Sequence, residues 1–301
     1  MPELPEVEIA ARNLRRWTRG REVAAVEADP AARYVFRPAG PAAFARAVTG
    51  ARFGAIRRIG KQLLVSLEKD GAPLGLLAHL GMTGKWLLRT PERGAQHHRA
   101  PQQDRPRPPR APRDDGAGGP PRFSRARFCL DGGSVLHFCD MRLFGRLRVV
   151  PGGRFEEVPE IAALGPDPLE EGIDARRLHE ALARSKLPVK VRIMDQALLP
   201  GVGNIQASEA LFRARIDPRR RSASLSRREA GAIAAAVLAS VRESIAREEG
   251  PEIVYVEEPG SENPFHVYGH GGERCPGCRR AAIRRVVQAQ RSTFFCPRCQ
   301  R

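Results

Sequence analysis

The 301-residue chain has only five lysines beside 46 arginines, and only three tyrosines and two tryptophans. It contains no run of about 18 apolar residues, so no segment reads as a membrane-spanning helix. The opening Met1-Pro2-Glu3-Leu4-Pro5-Glu6 is acidic and lacks the apolar stretch of a secretory leader, which predicts a cytoplasmic protein. No internal repeat is visible. Acidic residues are also in short supply: 34 against 51 basic ones leave a formal charge of +17 and a pI near 10.9. A charge this positive calls for a polyanionic partner. A membrane surface is the alternative to nucleic acid, but no long basic amphipathic helix carries an aromatic apolar face.

Apolar residues make up 42% of the chain, enough for two ordinary domains. Residues 3–17 read as a helix with Val7, Ile9, Ala10, Leu14 and Trp17 on its apolar side. Short β segments follow at 23–27, 52–58, 63–67, 74–79, 86–88, 127–130, 135–138 and 147–150, punctuated by turns such as Asp70-Gly71. Many short strands with turn signals predict a β-sandwich over residues 1–150. Residues 91–122 interrupt it with eight prolines, seven arginines and no Val, Ile, Leu, Met or Cys. Such a stretch buries too little apolar area to offset its ordering entropy, so it reads as a disordered insertion. It serves either as a passive linker or as an arginine arm adding DNA affinity. Residues 151–170 read as a linker. Beyond it, 171–262 turn helical: Asp174 can cap a helix to about Arg184, 189–197 form a second, and a third starts at Asn204 after the Leu199–Gly203 turn. Ser226 and Glu229 form a capping box for a long helix ending at Gly250-Pro251.

Six cysteines are present. Cys129 and Cys139 stand apart and read as buried thiols on strands. Cys275-Pro276-Gly277-Cys278 and Cys296-Pro297-Arg298-Cys299 make a C-x2-C-x17-C-x2-C pattern within residues 263–301, the spacing of a zinc ribbon. The alternative, a redox C-x-x-C, lacks the βαβ surroundings it would need. Cys275, Cys278, Cys296 and Cys299 are therefore the expected ligands of one structural Zn2+, with Arg284, Arg285 and Arg291 on the hairpin between the pairs.

Six blocks now acquire meaning together: Pro2-Glu3-Leu4-Pro5-Glu6-Val7-Glu8, Gly60-Lys61-Gln62-Leu63-Leu64, His79-Leu80-Gly81-Met82-Thr83-Gly84, Asp140-Met141-Arg142-Leu143-Phe144-Gly145, Gly201-Val202-Gly203-Asn204-Ile205 and Gln290-Arg291-Ser292-Thr293-Phe294-Phe295-Cys296. In this order, with the zinc ribbon, they resemble the formamidopyrimidine-DNA glycosylase family from residue 2 to residue 300. The resemblance implies a two-domain α+β fold: an N-terminal β-sandwich with a flanking helix, and a C-terminal helix–two-turn–helix domain with a zinc-ribbon hairpin. It implies a monomer that binds double-stranded DNA carrying oxidised bases or abasic sites in the cleft between domains, at the nucleoid. The activity implied is that of a bifunctional glycosylase and abasic-site lyase acting on oxidised purines such as 8-oxoguanine and formamidopyrimidines.

The same resemblance assigns roles. Pro2, exposed once Met1 is removed, is a secondary amine. An α-amino group with a pKa of about 7.7–8.0 is partly neutral and nucleophilic near neutrality. Its attack on C1′ of the damaged nucleotide gives a cationic imine, an electron sink for eliminations. Glu3 is its acid–base partner, Glu6 supports the site, Lys61 touches phosphate and assists β-elimination, and Arg291 contacts phosphate in δ-elimination. Met82, Arg142 and Phe144 fill the gap left by the everted base. Taken singly, Met82 and Phe144 would read as core packing, and Asn204 as a plain N-cap instead of a phosphate donor. Lys186 matches another DNA contact.

The chain departs from the family pattern at two places. Arg122-Phe123 replaces a Lys-His pair, leaving Arg122 or Arg125 to supply the DNA contact. Residues 252–265 lack the Thr-rich stretch of the loop that closes over an everted base. That second departure keeps open an endonuclease VIII-like specificity for oxidised pyrimidines, and a rival of another class, a lesion-binding zinc-ribbon protein without catalysis, is opposed by the retention of Pro2, Glu3 and Lys61.

Overall fold

The computed structural model describes residues 2–91, 120–258 and 260–301. Apart from its ends, the insertion expected at 91–122 lies outside the described residues. No helix among them is long and apolar enough to cross a membrane.

Helix α1 (Leu4–Thr18) starts at the N-cap Glu3, has Pro5 in its first turn and buries Leu4, Val7, Ala10, Ala11 and Leu14. Two four-stranded antiparallel sheets follow. One has the order β1 (Val23–Ala28), β6 (Ser124–Leu130), β7 (Val135–Cys139), β5 (Lys85–Arg89); the other runs β2 (Arg52–Ile59), β3 (Gln62–Lys69), β4 (Ala72–His79), β8 (Arg146–Pro151). All eight expected strands form. A helix that the pattern did not signal, α2 (Pro41–Val48), buries only Phe44 and Val48. Two apolar positions in eight residues give too little periodicity to read.

Inward side chains of both sheets share one core, with Phe53, Leu63, Val65 and Leu76 on one side and Trp86, Phe128, Leu136 and Phe138 on the other. The Trp86 ring lies 5.0 Å from that of Phe138 and 5.7 Å from that of Phe128. Strand β4 is buried at four consecutive positions, Gly75–Ala78, because its outer face is covered too. Phe155, Val158 and Ile161 of the following segment, which includes α3 (Pro159–Ala162), pack there on Leu64, Leu77 and Val150. A Cβ on Gly75 would come within 2.8 Å of the Phe155 ring. Residues 151–170 are therefore docked on the sandwich, not slack.

One buried charge fixes that segment. The Arg58 guanidinium, fully excluded from solvent, reaches Glu8 of α1 at 2.9 Å and both Asp167 oxygens at 2.5 and 2.7 Å. Asp167 also accepts the Gly60 N–H at 2.7 Å. The backbone turn carrying Lys61 is thus tied to the segment leading into the second half of the chain.

That half contains α4 (Ala175–Ala183), capped by Asp174; α5 (Val189–Ile193); α6 (Asn204–Arg213); and α7 (Arg227–Glu248), which opens with the Ser226–Glu229 capping box. Helix α5 is shorter than the expected 189–197. The Asp195 carboxylate accepts the Ala197 N–H, and its carbonyl accepts those of Leu198 and Leu199, which turns the chain early. Helix α1 packs on both β2 and α7, so the apolar core runs without a break from the sandwich into the helices. Strands β9 (Arg284–Gln288) and β10 (Arg291–Phe295) form the terminal hairpin.

Replacing Arg58 with Ala leaves Asp167 buried without its cation and Glu8 with only Arg12 and Arg15. The expected loss is about 3–5 kcal/mol of unfolding free energy, the usual cost of breaking a buried pair from one side. Urea denaturation checks it, and a change below about 1 kcal/mol would remove the network from this role.

Candidate active site

The N–H groups at the start of a helix lack intrahelical partners and attract negative charge. At α6 those groups are taken by a side chain from the other end of the protein. The buried Glu3 carboxylate accepts N–H bonds from Gly203 (3.1 Å), Ile205 (2.9 Å) and Gln206 (3.0 Å). The approach demands glycine, since a Cβ at Gly203 would lie 2.3 Å from the Glu3 carboxyl carbon. Gly201, at φ +88°, accepts the Leu4 N–H through its carbonyl, and a Cβ there would sit 2.7 Å from that of Leu4. Gly60, at φ +56°, meets Pro200 in the same way at 2.9 Å. Pro2, Glu3, the Gly60-Lys61 turn and the start of α6 therefore meet in one place. Glu6 joins them: its Oε2 accepts the Glu3 N–H at 2.7 Å.

Arg291 arrives by another route. Lys190, fully buried on α5, donates to Asn204 Oδ1 (2.5 Å), Thr293 Oγ1 (2.8 Å) and the Ser292 carbonyl (3.2 Å). Asn204 donates from Nδ2 to the same Ser292 carbonyl at 3.0 Å. This bolts β10, and with it the exposed Arg291, to the start of α6. Both ends of the Asn204 amide are used inside the protein, and the N-cap is Gly203, so Asn204 is turned inward and not toward solvent. Burial brings the Lys190 ammonium down to about 7, against the attraction of Glu3 and with the help of Arg291. The sequence reading missed Lys190; its only signal was the scarcity of lysine in an arginine-rich chain.

Met82, Arg142 and Phe144 form a ridge. Asp140, fully buried, accepts from Thr83 Oγ1 (2.6 Å), the Arg142 N–H (3.2 Å) and the Gly145 N–H (2.7 Å). A Cβ on Gly81 would lie 2.4 Å from the Phe144 backbone, so the 81–83 turn and the 141–145 loop interlock. Phe144 is 52% exposed, and the Arg142 guanidinium lies over its ring at 5.0 Å. Leu143 adopts φ +58°, a conformation β-carbon-bearing residues avoid, to hold this loop. Phe144 is therefore presented, not packed. Arg125 stands behind the loop, with Nε on the Asp140 carbonyl and Nη1 paired with Asp29, both at 2.8 Å. Lys186 is exposed just ahead of α5.

Beside Glu6 lies a cavity of about 270 Å3, lined by Glu6, Arg247, Glu248, Tyr255, Glu257 and Phe265 among others. Its far wall is the 252–265 segment. Lys85 of β5 pairs with Glu252 (2.9 Å) and Glu258 (3.3 Å), and the buried Tyr255 hydroxyl donates to the Gly84 carbonyl. The Glu6 carboxyl is pushed up to about 8, first by burial and then by the neighbouring Glu248 and Glu3. Across the Lys61 turn, burial and the charges of Lys61 and Arg146 bring His79 down to about 4.

The four expected zinc ligands converge. All Sγ atoms of Cys275, Cys278, Cys296 and Cys299 lie within 4.8 Å of one another, with two pairs at 3.7 Å. A tetrahedral Zn2+ with bonds of about 2.3 Å separates its sulfurs by about 3.8 Å, so the set fits one structural zinc. Gln300 fastens the module: its Oε1 accepts the Cys296 N–H and its Nε2 donates to the Ile216 carbonyl.

Fold and site agree with the comparisons to known proteins. Residues 1–147 match the formamidopyrimidine-DNA glycosylase N-terminal domain, 164–254 the H2TH domain of the same enzymes, and 272–301 the zinc finger found in FPG and IleRS. The chain is 37% identical over 312 residues to the formamidopyrimidine-DNA glycosylase of Paracoccus denitrificans, covering 100% of both proteins. The crystal structure of the MutM (Fpg) protein of Thermus thermophilus superimposes with a TM-score of 0.75 at 34% identity, over 99% of this chain and 98% of that one. The Lactococcus lactis Fpg in complex with an abasic site containing DNA gives 0.77 at 25% identity, over 99% of each chain. The chain belongs to the formamidopyrimidine-DNA glycosylase family.

Cys296→Ser removes one thiolate from the set. The expected outcome is loss of bound zinc and weaker DNA binding through a loosened β9–β10 hairpin. Zinc content by metal analysis checks the ligand assignment, and stoichiometric zinc in the variant would refute it.

Proposed function

We propose that this DNA glycosylase and abasic-site lyase of base excision repair uses Pro2 as its nucleophile on oxidised purines. The observation that carries the reading is the convergence of Pro2, Glu3, Lys61 and Arg291 around the start of α6, beside a cavity of about 270 Å3. The Pro2 nitrogen lone pair forms a bond to C1′ as the glycosidic bond breaks and the base leaves with a proton. Glu3 protonates the ring oxygen as the sugar opens. The imine from a secondary amine has no N–H to lose and stays cationic. It accepts electrons as a C2′ proton is removed and the 3′ phosphate departs. A second elimination releases the 5′ phosphate, leaving a one-nucleotide gap.

Binding follows from charge and shape. Arg291 and Lys61 are cations open to phosphate at the mouth of the site, and Lys186 extends that surface. The Met82, Arg142 and Phe144 ridge enters the duplex: Phe144 wedges between base steps, Met82 fills space, and Arg142 bonds the orphaned partner base. Glu6 and the 252–265 segment wall the cavity that receives the everted base. Working on chromosomal DNA, the protein is expected at the nucleoid. The oxidised-purine reading is favoured over oxidised pyrimidines by the complete ridge.

The mechanism requires a free secondary amine. Borohydride added to the enzyme with an 8-oxoguanine or abasic duplex should trap a covalent adduct in protein whose intact mass lacks Met1. A chain retaining Met1, in which the Pro2 nitrogen is an amide, should bind the abasic duplex yet trap none. An equal adduct yield from that chain would rule out Pro2.

A further inference from the structure

Phe123, Met141 and Phe144 are exposed, and all three stand close to Asp140 along the chain or across a hydrogen bond. The reading above uses Phe144 and leaves Phe123 without a task. Phe123 lies in a turn in which the Ser124 N–H donates to the Pro121 carbonyl at 3.2 Å. Its own carbonyl accepts the Asp140 N–H at 3.0 Å. Its φ is +59°, a conformation that suits Gly or Asn and that other β-carbon-bearing residues avoid. The core does not explain a phenylalanine here either, because the residue is 41% exposed. An outlier of this kind points to a use outside the fold. Two guanidiniums stand over the ring, Arg122 at 5.2 Å and Arg125 at 5.8 Å from its centroid. Arg125 is fastened to the Asp140 carbonyl and to Asp29, both at 2.8 Å, and so is committed inside the protein. Arg122 is exposed and meets no carboxylate among the described residues.

Strand order tells which part of a duplex this pair would meet. At this end of the sheet, Lys85 of β5 and Ser124 of β6 flank Cys139 of β7 from opposite sides. Gly84 and Lys85 touch the 252–265 wall of the cavity through Tyr255 and Glu252. Phe123 therefore lies across the 140–145 loop from that cavity. The damaged base leaves the duplex toward the cavity, so the strand beyond the ridge is the undamaged one. We propose that Arg122 and Phe123 grip one nucleotide unit of the undamaged strand beside the orphaned base, with the ring on its deoxyribose and the guanidinium on its phosphate. The inference rests on the reading of Met82, Arg142 and Phe144 as the ridge that enters the duplex. Both guanidiniums stand over the ring, which leaves its edge for a sugar and not its face for a stacked base. Such a contact reads no sequence; it holds the duplex in register on the side where Arg142 takes the partner base.

Fluorescence anisotropy on a duplex with an uncleavable tetrahydrofuran site measures binding without an imine, so the role of Pro2 does not enter. Phe123→Asn suits the turn, and the DNA-free protein should melt at the same temperature or higher. Its Kd should rise about fivefold with an unchanged salt dependence, as expected for a lost apolar contact. Phe123→Leu keeps an apolar side chain and should give a smaller loss; it carries the test if the Asn variant fails to fold. Arg122→Gln should reduce the slope of log K against log salt by about 0.9, the share of one phosphate. Replacing phosphates of either strand one at a time by neutral methylphosphonates locates the contact. At one undamaged-strand position beside the orphaned base, the parent should weaken and the Arg122→Gln variant should not. The proposal is overturned if that position falls on the damaged strand or on neither strand. It is also overturned if Phe123→Asn lowers the melting temperature and leaves Kd unchanged, the mark of a ring packed on the protein itself. Phe144→Ala separates the premise. An unchanged Kd in that variant removes the ridge from the duplex and this proposal with it. Weaker binding there, with Kd unchanged in both Phe123 variants, overturns the role of Phe123 alone.

Discussion

Three backbone N–H groups at the start of α6 find their acceptor some 200 residues away, on the carboxylate of Glu3. A carboxylate buried without donors would be costly, and so would helix N–H groups buried without acceptors. Each supplies what the other lacks. The N-terminal end of the chain is thereby fixed against the helix–two-turn–helix turn, not left to fray as termini commonly do. Gly203, Gly201 and Gly60 permit backbone approach on three sides of this contact, so the cleft closes around a position set by hydrogen bonds.

The same principle runs through the rest of the molecule. An arginine-rich chain with +17 net charge must keep most of its cations outside, and the charges it buries at the key junctions are saturated. Arg58 takes Glu8 and Asp167, Lys190 takes three oxygens, and Glu209 accepts the N–H groups of His266, Val267 and Tyr268. Each of these joins elements distant in sequence, and each lies where the active site must stay in register. Buried ion pairs seldom add much stability compared with apolar packing, but they penalise every other arrangement. Here they hold Lys61, Arg291 and the 266–268 turn to the body of the protein.

Much of this was legible beforehand, for identifiable reasons. The eight strands were visible because short apolar, β-branched runs stand between turn signals, and this holds even for β4, which is buried on both faces and does not alternate. The caps at Asp174 and Ser226 were visible because capping is local chemistry. The zinc set was visible because the ligand spacing is itself the signal. Other features were not. Helix α2 buries two residues and leaves no period. Residues 151–170 look like a linker because their composition is polar and Pro-rich, yet three apolar residues suffice to dock them on β4. Asn204 reads as a cap or a phosphate donor, and its inward turn depends on Lys190, fourteen residues earlier and on another helix.

Local order along the chain settles which elements form, which cysteines gather as ligands and which residue types are available for imine chemistry, because periodicity, caps and ligand spacing are encoded within a few residues of one another. Which charges meet is settled by packing alone. Glu3 at the mouth of α6, Lys190 beneath Asn204 and Asp140 beneath the Phe144 ridge are contacts that local pattern does not announce. The protonation and orientation of such groups depend on burial and on partners brought together by the fold, and neither is written in the run of neighbouring residues.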